Sequence, residues 1–395
     1  MTIATANRLK KLQPSPTMAM NAKARALEAQ GIKILSLSVG EPDFDTPKYI
    51  CKAAIEAINS GFTRYTAADG IAPLKAAIQD KFKRDNQLSY NANEIIVTSG
   101  AKQALANAFC AILNPGDEVI IPAPYWVSYP DMVILGEGIP KFIYADHTQD
   151  FKITAKQLEA AITPRTRMFA INSPNNPTGM IYSAEELKAL AEVLKKHPNI
   201  IILSDDIYEH LIWSDLPFAN LLMVCPELKD RIIVVNGVSK SYAMTGWRIG
   251  YAAGPAEVIN QIKNIQMQTT SAPNSIAQMA ALTAITGPQD SIPLMNKQFK
   301  LRHDFLVKAL NALPGVKCVP AQGAFYLLPD FSDWLKQHPE IGNDEQLAET
   351  LLTEIHIATV AGTPFGAPNC IRLSFASSMD TLEEAMRRLE KFVKR

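Results

Sequence analysis

The chain is short of several features that would each have named a function class. It has five cysteines in 395 residues (Cys51, Cys110, Cys225, Cys318, Cys370), scattered and odd in number, with no CxxC pair. That pattern argues against a disulfide framework or a zinc site and reads as small, reduced core residues. It has six histidines and no HExxH or other metal spacing, so a metalloenzyme has no support in the sequence. No apolar run approaches the about 20 residues needed to span a bilayer, and Met1 to Pro16 lacks the apolar stretch of a secretory signal. No GxGxxG follows the first strand candidates, which removes a dinucleotide dehydrogenase. Net charge is absent too: Lys plus Arg and Asp plus Glu are both 39, so no bulk field attracts nucleic acid or anionic membrane. The expectation is a soluble, cytoplasmic protein.

What is present is a globular composition, 47% hydrophobic and 20% charged, with length enough for one large and one small domain. Between about Thr46 and Gly287, short β-branched runs alternate with longer helical segments. The strand candidates are Glu94–Thr98, Glu118–Pro122, Lys141–Tyr144, Arg167–Asn172, Ile200–Leu203 and Ile232–Asn236; helices such as Ala101–Leu113 and Ala184–Lys196 lie between them. Buried apolar strands alternating with helices predict a mostly parallel sheet covered on both faces, with ligands at the carboxyl ends of its strands. A long helix is expected from Ile292 to about Leu313. Beyond it, Val316–Val319, Ala324–Leu328, His356–Val360 and Ile371–Phe375 read as strands of a smaller α/β lobe under helices at Asn343–Glu354 and Thr381–Lys394. The first 45 or so residues offer one helix, Met20–Gln30, ended by Gly31, and a strand at Ile34–Ser38, and are expected to pack with the C-terminal lobe.

The chemistry-bearing residues follow these strands. Lys240 stands in Ser239-Lys240-Ser241-Tyr242-Ala243-Met244-Thr245-Gly246-Trp247-Arg248, just after Ile232–Val235. A desolvated amine near other cations loses its proton and becomes nucleophilic, as Schiff-base lysines do. Asn172-Ser173-Pro174-Asn175-Asn176-Pro177-Thr178-Gly179 is either a polar turn or a rigid loop whose amide holds a phenolic or carboxylate oxygen. In Ser204-Asp205-Asp206-Ile207-Tyr208, both aspartates could cap a following helix. The reading favoured here turns Asp205 inward, against a cationic ring nitrogen that repays its burial, and leaves Asp206 as the cap or facing solvent. Ser99-Gly100-Ala101-Lys102-Gln103 is a strand-to-helix turn whose free N–H groups form an anion site, with Arg248 as a second, bidentate clamp. Trp126 could stack on a flat ring or fill core. Arg372 interrupts an apolar strand and needs an anion, an internal carboxylate or a substrate's; the company it keeps favours the substrate.

Together these residues resemble the fold-type I, class I pyridoxal-phosphate aminotransferases, in particular the bacterial aspartate aminotransferase subgroup Ib. The resemblance runs from Pro14-Ser15-Pro16-Thr17 through Gly40-Glu41-Pro42-Asp43-Phe44-Asp45-Thr46-Pro47 to the Arg372 strand. It implies an α/β fold with a seven-stranded, mostly parallel sheet in a large cofactor-binding domain (46–290), and a smaller domain from 1–45 and 291–395. It implies pyridoxal 5′-phosphate as cofactor and Lys240 as the Schiff-base lysine and proton shuttle. Asp205 then pairs with the pyridinium nitrogen, and Tyr208 and Asn176 bind the ring's 3′ oxygen. The phosphate falls to the Ala101 and Lys102 amides, Ser239 and Arg248, and the ring face to Trp126. Arg372, with Asn176 and the backbone at Gly40, takes the substrate α-carboxylate. Tyr65 resembles a tyrosine that reaches the neighbouring subunit's phosphate, which implies a homodimer with shared active sites.

Two departures bear on this resemblance. The usual Ser-Asp-Glu-Ile-Tyr carries Asp206 in place of Glu, and Gln268-Thr269-Thr270-Ser271-Ala272-Pro273-Asn274 lacks the arginine that the animal-type branch uses for a distal carboxylate. Ser15, Thr17 and Lys102 are the candidates for that task here. The expected reaction is L-aspartate plus 2-oxoglutarate to oxaloacetate plus L-glutamate, with an aspartate/prephenate aminotransferase of dual specificity as the alternative. A C–S lyase on the same fold would share the core motifs. A cofactor-sensing transcription regulator would need an N-terminal helix-turn-helix module larger than the residues before Gly40.

Overall fold

The structure is a computed structural model and describes residues 4–395; Met1 to Ile3 of the N-terminal stretch lie outside it. The central sheet is built from β2 (Ile95–Thr98), β3 (Glu118–Ala123), β4 (Ile139–Tyr144), β5 (Thr166–Asn172), β6 (Ile201–Asp205), β7 (Ile232–Gly237) and β8 (Gly250–Ala253), following the short β1 (Leu35–Ser36). Its seven strands lie in the order β2-β8-β7-β6-β5-β3-β4. All run parallel except β8, which is antiparallel to both neighbours. The β-branched runs predicted six of the seven; β8 escaped because Gly250-Tyr251-Ala252-Ala253 carries no β-branched residue.

Strand alternation sends Ile95, Val97, Phe169, Ile171, Ile202, Ile232 and Val234 into one hydrophobic layer. Ile96, Met168, Ala170, Leu203, Ile233 and Val235 enter the other. Period-two side chains thus reach opposite faces, and both faces are covered. Helices 72–86, 184–195 and 275–286 close the first layer; helices 101–112, 128–135 and 256–269 close the second. At Gly250 the helix start at Ala101 lies so close that a Cβ would sit 2.1 Å from the Ala101 nitrogen. Only glycine allows that approach.

The smaller lobe holds a three-stranded antiparallel sheet, β11 (Val360–Ala361), β12 (Ile371–Ser374) and β9 (Tyr326–Leu327), in that order. A separate parallel pair joins β1 to β10 (Ile357–Ala358), so the N-terminal strand does pack with C-terminal chain. Phe299, Leu306 and Leu310 of the helix Ser291–Asn311 share one apolar cluster with Phe325, Trp334, Leu351, Leu382 and Phe392.

Several predicted strands are shorter or absent. Val316–Val319 is no strand: only Lys317 exchanges backbone bonds with Asp330, at 3.0 and 2.8 Å, and the backbone N–H and carbonyl of Cys318 are both taken by the Asn311 side chain at 2.9 Å. His356–Val360 splits in two, because His356 is the left-handed cap of the helix Asp344–Ile355 (φ 57°) and the chain changes partner from β1 to β12 across Thr359. No helix of the described residues is long and apolar enough to cross a membrane.

Candidate active site

The carboxyl ends of β2, β3, β5, β6 and β7 open onto one cavity of about 440 Å³, roofed by residues of the smaller lobe and the first helix. Lys240 sits in the turn after β7. Its Nζ donates to the Gly40 carbonyl at 2.5 Å and lies 5.9 and 5.8 Å from the Tyr208 and Phe325 ring centres. Burial pulls its pKa down from 10.5 to about 8; Glu41 and Asp205 oppose the fall, and Arg248 and Arg372 add to it. An amine so placed keeps roughly a tenth of its population unprotonated at neutral pH, far more than an ordinary lysine, and that neutral form is the nucleophile.

Asp205 ends β6 with its carboxylate at the cavity floor. Tyr129 Oη donates to its Oδ2 at 2.5 Å and the Ile207 N–H to its Oδ1 at 3.3 Å. Burial raises its pKa to about 6, against the lowering effect of those two bonds and of Lys240. No cation of the described residues pairs with Asp205. Asn172, at the end of β5, donates to the Asp205 carbonyl at 2.8 Å and accepts the Asn176 N–H at 2.9 Å, so the two strand ends brace each other.

Asn176 Oδ1 accepts Arg372 Nη1 at 3.1 Å, and Arg372 Nη2 donates to the Ser38 carbonyl at 2.7 Å. The guanidinium lies 4.7 and 4.9 Å from the Tyr326 and Phe365 ring centres. Its Nε is buried without a partner, and no carboxylate of the described residues pairs with it. Burial pulls its pKa below the usual arginine value. A buried cation left without an internal anion, facing a cavity, is an anion site.

At the opposite end, Gly100 (φ +83°) starts the helix Ala101–Ile112, leaving the Ala101 and Lys102 N–H groups free of intrahelical partners. The Arg248 guanidinium lies against this turn, where a Cβ on Gly100 would be 2.2 Å from Nη2, and its Nη1 donates to the Thr245 carbonyl at 2.9 Å. Ser239 and Lys102 line the same cavity. Lys102 Nζ sits 4.9 Å from the Trp126 ring centre, and Trp126 meets Tyr129 edge-on at 5.5 Å. Ser15 and Thr17 also line the cavity; the Ser15 hydroxyl caps the helix Pro16–Glu28 by accepting the Met18 N–H at 3.4 Å. Tyr65 stands apart, 95% exposed and outside the cavity.

Asp206 corrects the sequence reading. It neither caps a helix nor faces solvent: residues 206–210 form a turn, and Asp206 is 2% exposed. It accepts from Ser204 Oγ at 2.7 Å and Asn220 Nδ2 at 2.6 Å. The turn after β6 sends its side chain back behind the sheet, where two donors offset its desolvation. Tyr129 and Tyr326 were missed. Tyr129 stands three residues after Trp126, one helical turn on, a spacing that could have flagged it. Tyr326, whose Oη lies 3.0 Å from Tyr208 Oη, reads in sequence as one more aromatic on an apolar strand.

The family model for aminotransferase class I and II matches residues 32–389. The chain belongs to this family. It is 51% identical over 387 residues to the aspartate/prephenate aminotransferase of Nitrosomonas europaea, covering 97% of this chain and 98% of the relative. It is 50% identical over 389 residues to the aspartate aminotransferase of Bacillus sp. (strain YM-2), covering 98% and 99%. Among solved structures, the aspartate aminotransferase from Rhizobium meliloti superposes with a TM-score of 0.95 at 43% identity over all of both chains. That from Thermus thermophilus with maleate superposes with a TM-score of 0.93 at 41% identity, covering 99% and 100%.

Enzymes of this family use pyridoxal 5′-phosphate, and the site fits it. The cavity offers a depressed amine, a buried carboxylate with no cation of its own, and an N–H cradle that a Cβ on Gly100 would fill. The fold, the aminotransferase activity and the cofactor anticipated from the motifs all stand.

Proposed function

We propose that the enzyme moves the amino group of L-aspartate to 2-oxoglutarate by a ping-pong route, giving oxaloacetate and L-glutamate. The observation that carries this reading is the buried Arg372 guanidinium, without a carboxylate partner, opening onto the same cavity as the Lys240 amine. The names of the relatives, aspartate and aspartate/prephenate aminotransferase, support it.

When bound, pyridoxal phosphate supplies the electron sink for charge that develops at the amino acid's Cα. The protein's part is to hold, orient and move protons. Lys240 Nζ would hold the cofactor covalently and, as a free amine, would carry the proton from the substrate's Cα to the cofactor's C4′ carbon; a pKa near 8 suits both duties. Asp205 balances the charge of a protonated ring nitrogen. Tyr208 and Asn176 would hold the ring's 3′ oxygen, and Trp126 would cover the ring. The Ala101 and Lys102 N–H groups, Ser239 and Arg248 hold the phosphate. Arg372, with Asn176 and the backbone at Gly40, takes the α-carboxylate, while Ser15, Thr17 and Lys102 face the distal carboxylate. No residue of 268–274 lines the cavity, in keeping with a distal site built elsewhere. Residues 46–290 act as the cofactor-binding domain, and 1–45 with 291–395 as the second. The exposure of Tyr65 suits a homodimer in which Tyr65 of the partner subunit completes the phosphate site.

An absorbance titration tests this. The band of the lysine-bound cofactor should vanish with L-aspartate and return with 2-oxoglutarate. A band that persists with aspartate but vanishes with another amino acid refutes the donor, and pyruvate release from cystathionine without an acceptor points to a lyase. Restoration of the band by prephenate would establish the second acceptor that the Nitrosomonas relative's name suggests.

A further inference from the structure

Residues 37–47 contain no helix or strand, yet this irregular segment touches both halves of the site. Near its start, the Leu37 carbonyl accepts the Ser374 N–H and the Ser38 carbonyl accepts Arg372 Nη2, both at 2.7 Å. Further on it grips the loop that carries Lys240 and Arg248. Thr245 Oγ1 donates to Glu41 Oε2 at 2.8 Å, Thr46 Oγ1 donates to the Ala243 carbonyl at 2.6 Å, and Trp247 Nε1 donates back to Thr46 Oγ1 at 3.0 Å. Within this second set, between Glu41 and Thr46, stands Asp43, outside the cavity lining.

Asp43 is held by Arg302 of the helix Ser291–Asn311 in a two-pronged pair, Nη1 to Oδ1 at 2.7 Å and Nη2 to Oδ2 at 2.9 Å. The same Nη1 reaches the Phe375 carbonyl at 3.5 Å, one residue beyond the strand that bears Arg372. The guanidinium lies 5.4 and 5.7 Å from the Phe44 and Phe299 ring centres, and those rings meet edge-on at 5.6 Å. A planar fork between two rings fixes direction as well as distance, which a flexible ammonium does not.

We infer that the Asp43–Arg302 pair is a positioning clamp that sets the Lys240 loop and the Arg372 strand in register across the irregular segment between them. The inference rests on the proposed roles of Lys240 and Arg372. Neither Asp43 nor Arg302 touches the substrate; they act through residues 38–46 and Phe375. Misplacement by about 1 Å from a distant change can cost on the order of 10²-fold in rate, so losing the fork should be felt in turnover and not only in stability.

The test uses holoenzyme of Arg302→Lys, Asp43→Asn and the double variant Asp43→Asn/Arg302→Met. The double variant removes both charges, so neither is buried unpaired, and keeps an apolar stem between the rings. The pH midpoint of the cofactor band, read without substrate, should shift in all three. KM for L-aspartate should rise and kcat fall by about tenfold each, together the roughly hundredfold loss in kcat/KM that misplacement allows. Parent-like kcat, KM and band midpoint in the double variant, with only a lowered melting temperature, would overturn the clamp. If the parent itself fails to react with aspartate, the substrate reading falls, and the band midpoint still decides the clamp.

Discussion

Replacing Tyr129 by Phe removes one hydroxyl and leaves the ring that packs edge-on against Trp126. The hydroxyl donates to the buried Asp205 carboxylate at 2.5 Å and holds its pKa down, against the burial that raises it to about 6. A hydrogen bond to a charged group contributes about 1.5–3 kcal/mol, and at about 1.4 kcal/mol per decade its loss is worth roughly 1 to 2 pKa units. The Asp205 midpoint should therefore rise from about 6 by roughly that amount. At pH 7 the group would pass from mostly ionised to half ionised or less. The assay is the carboxyl carbon-13 titration of apo protein labelled in aspartate, with Asp205→Asn to assign the resonance. Turnover at pH 7 should fall in parallel, because the charge proposed to balance the ring nitrogen is depleted. An Asp205 midpoint that stays in place, or drops, would refute the reasoning, whatever happens to activity.

Gly100→Ala should drive a methyl into the Arg248 guanidinium at a position whose φ of +83° already disfavours a side chain. With one proposed charged partner of the phosphate displaced, cofactor affinity should fall by about 10- to 100-fold; a reconstitution titration showing parent affinity would contradict this. Asp206→Asn should flatten the pH dependence of apo-protein stability. Burial raises Asp206 from 3.8 to about 7, so the native state binds more protons than the unfolded chain between those values. Its contribution is complete below the lower value and lost as pH rises through about 7. Asp205, shifted the same way to about 6, should leave a residual slope. Urea unfolding between acidic and neutral pH checks it, and an unchanged slope would be the contrary result.

Fold class was readable because a sheet buried on both faces demands β-branched runs, and covering helices demand their own periodicity. The strands that failed show the limits of that signal. β8 carries glycine and alanine where two helix-side layers crowd it, and the segment at Val316–Val319 has strand composition but no neighbour to pair with beyond Lys317. Most of the site was also legible, since a lysine, an aspartate and an asparagine each followed a predicted strand where parallel sheets gather ligands.

The sequence by itself determined the alternating architecture and which residue types stand at the strand ends, because both depend on local pattern. It could not decide what those side chains meet. The bond from Arg372 to Asn176 spans 196 positions, that from Lys240 to Gly40 spans 200, and that from Tyr129 to Asp205 spans 76. Tertiary packing settled that Arg372 pairs with no carboxylate of the described residues, that Asp206 turns inward, and that the Lys240 amine falls to a pKa of about 8. Desolvation and long-range pairing are properties of the folded surroundings, and they exist only once the two lobes close around the cavity.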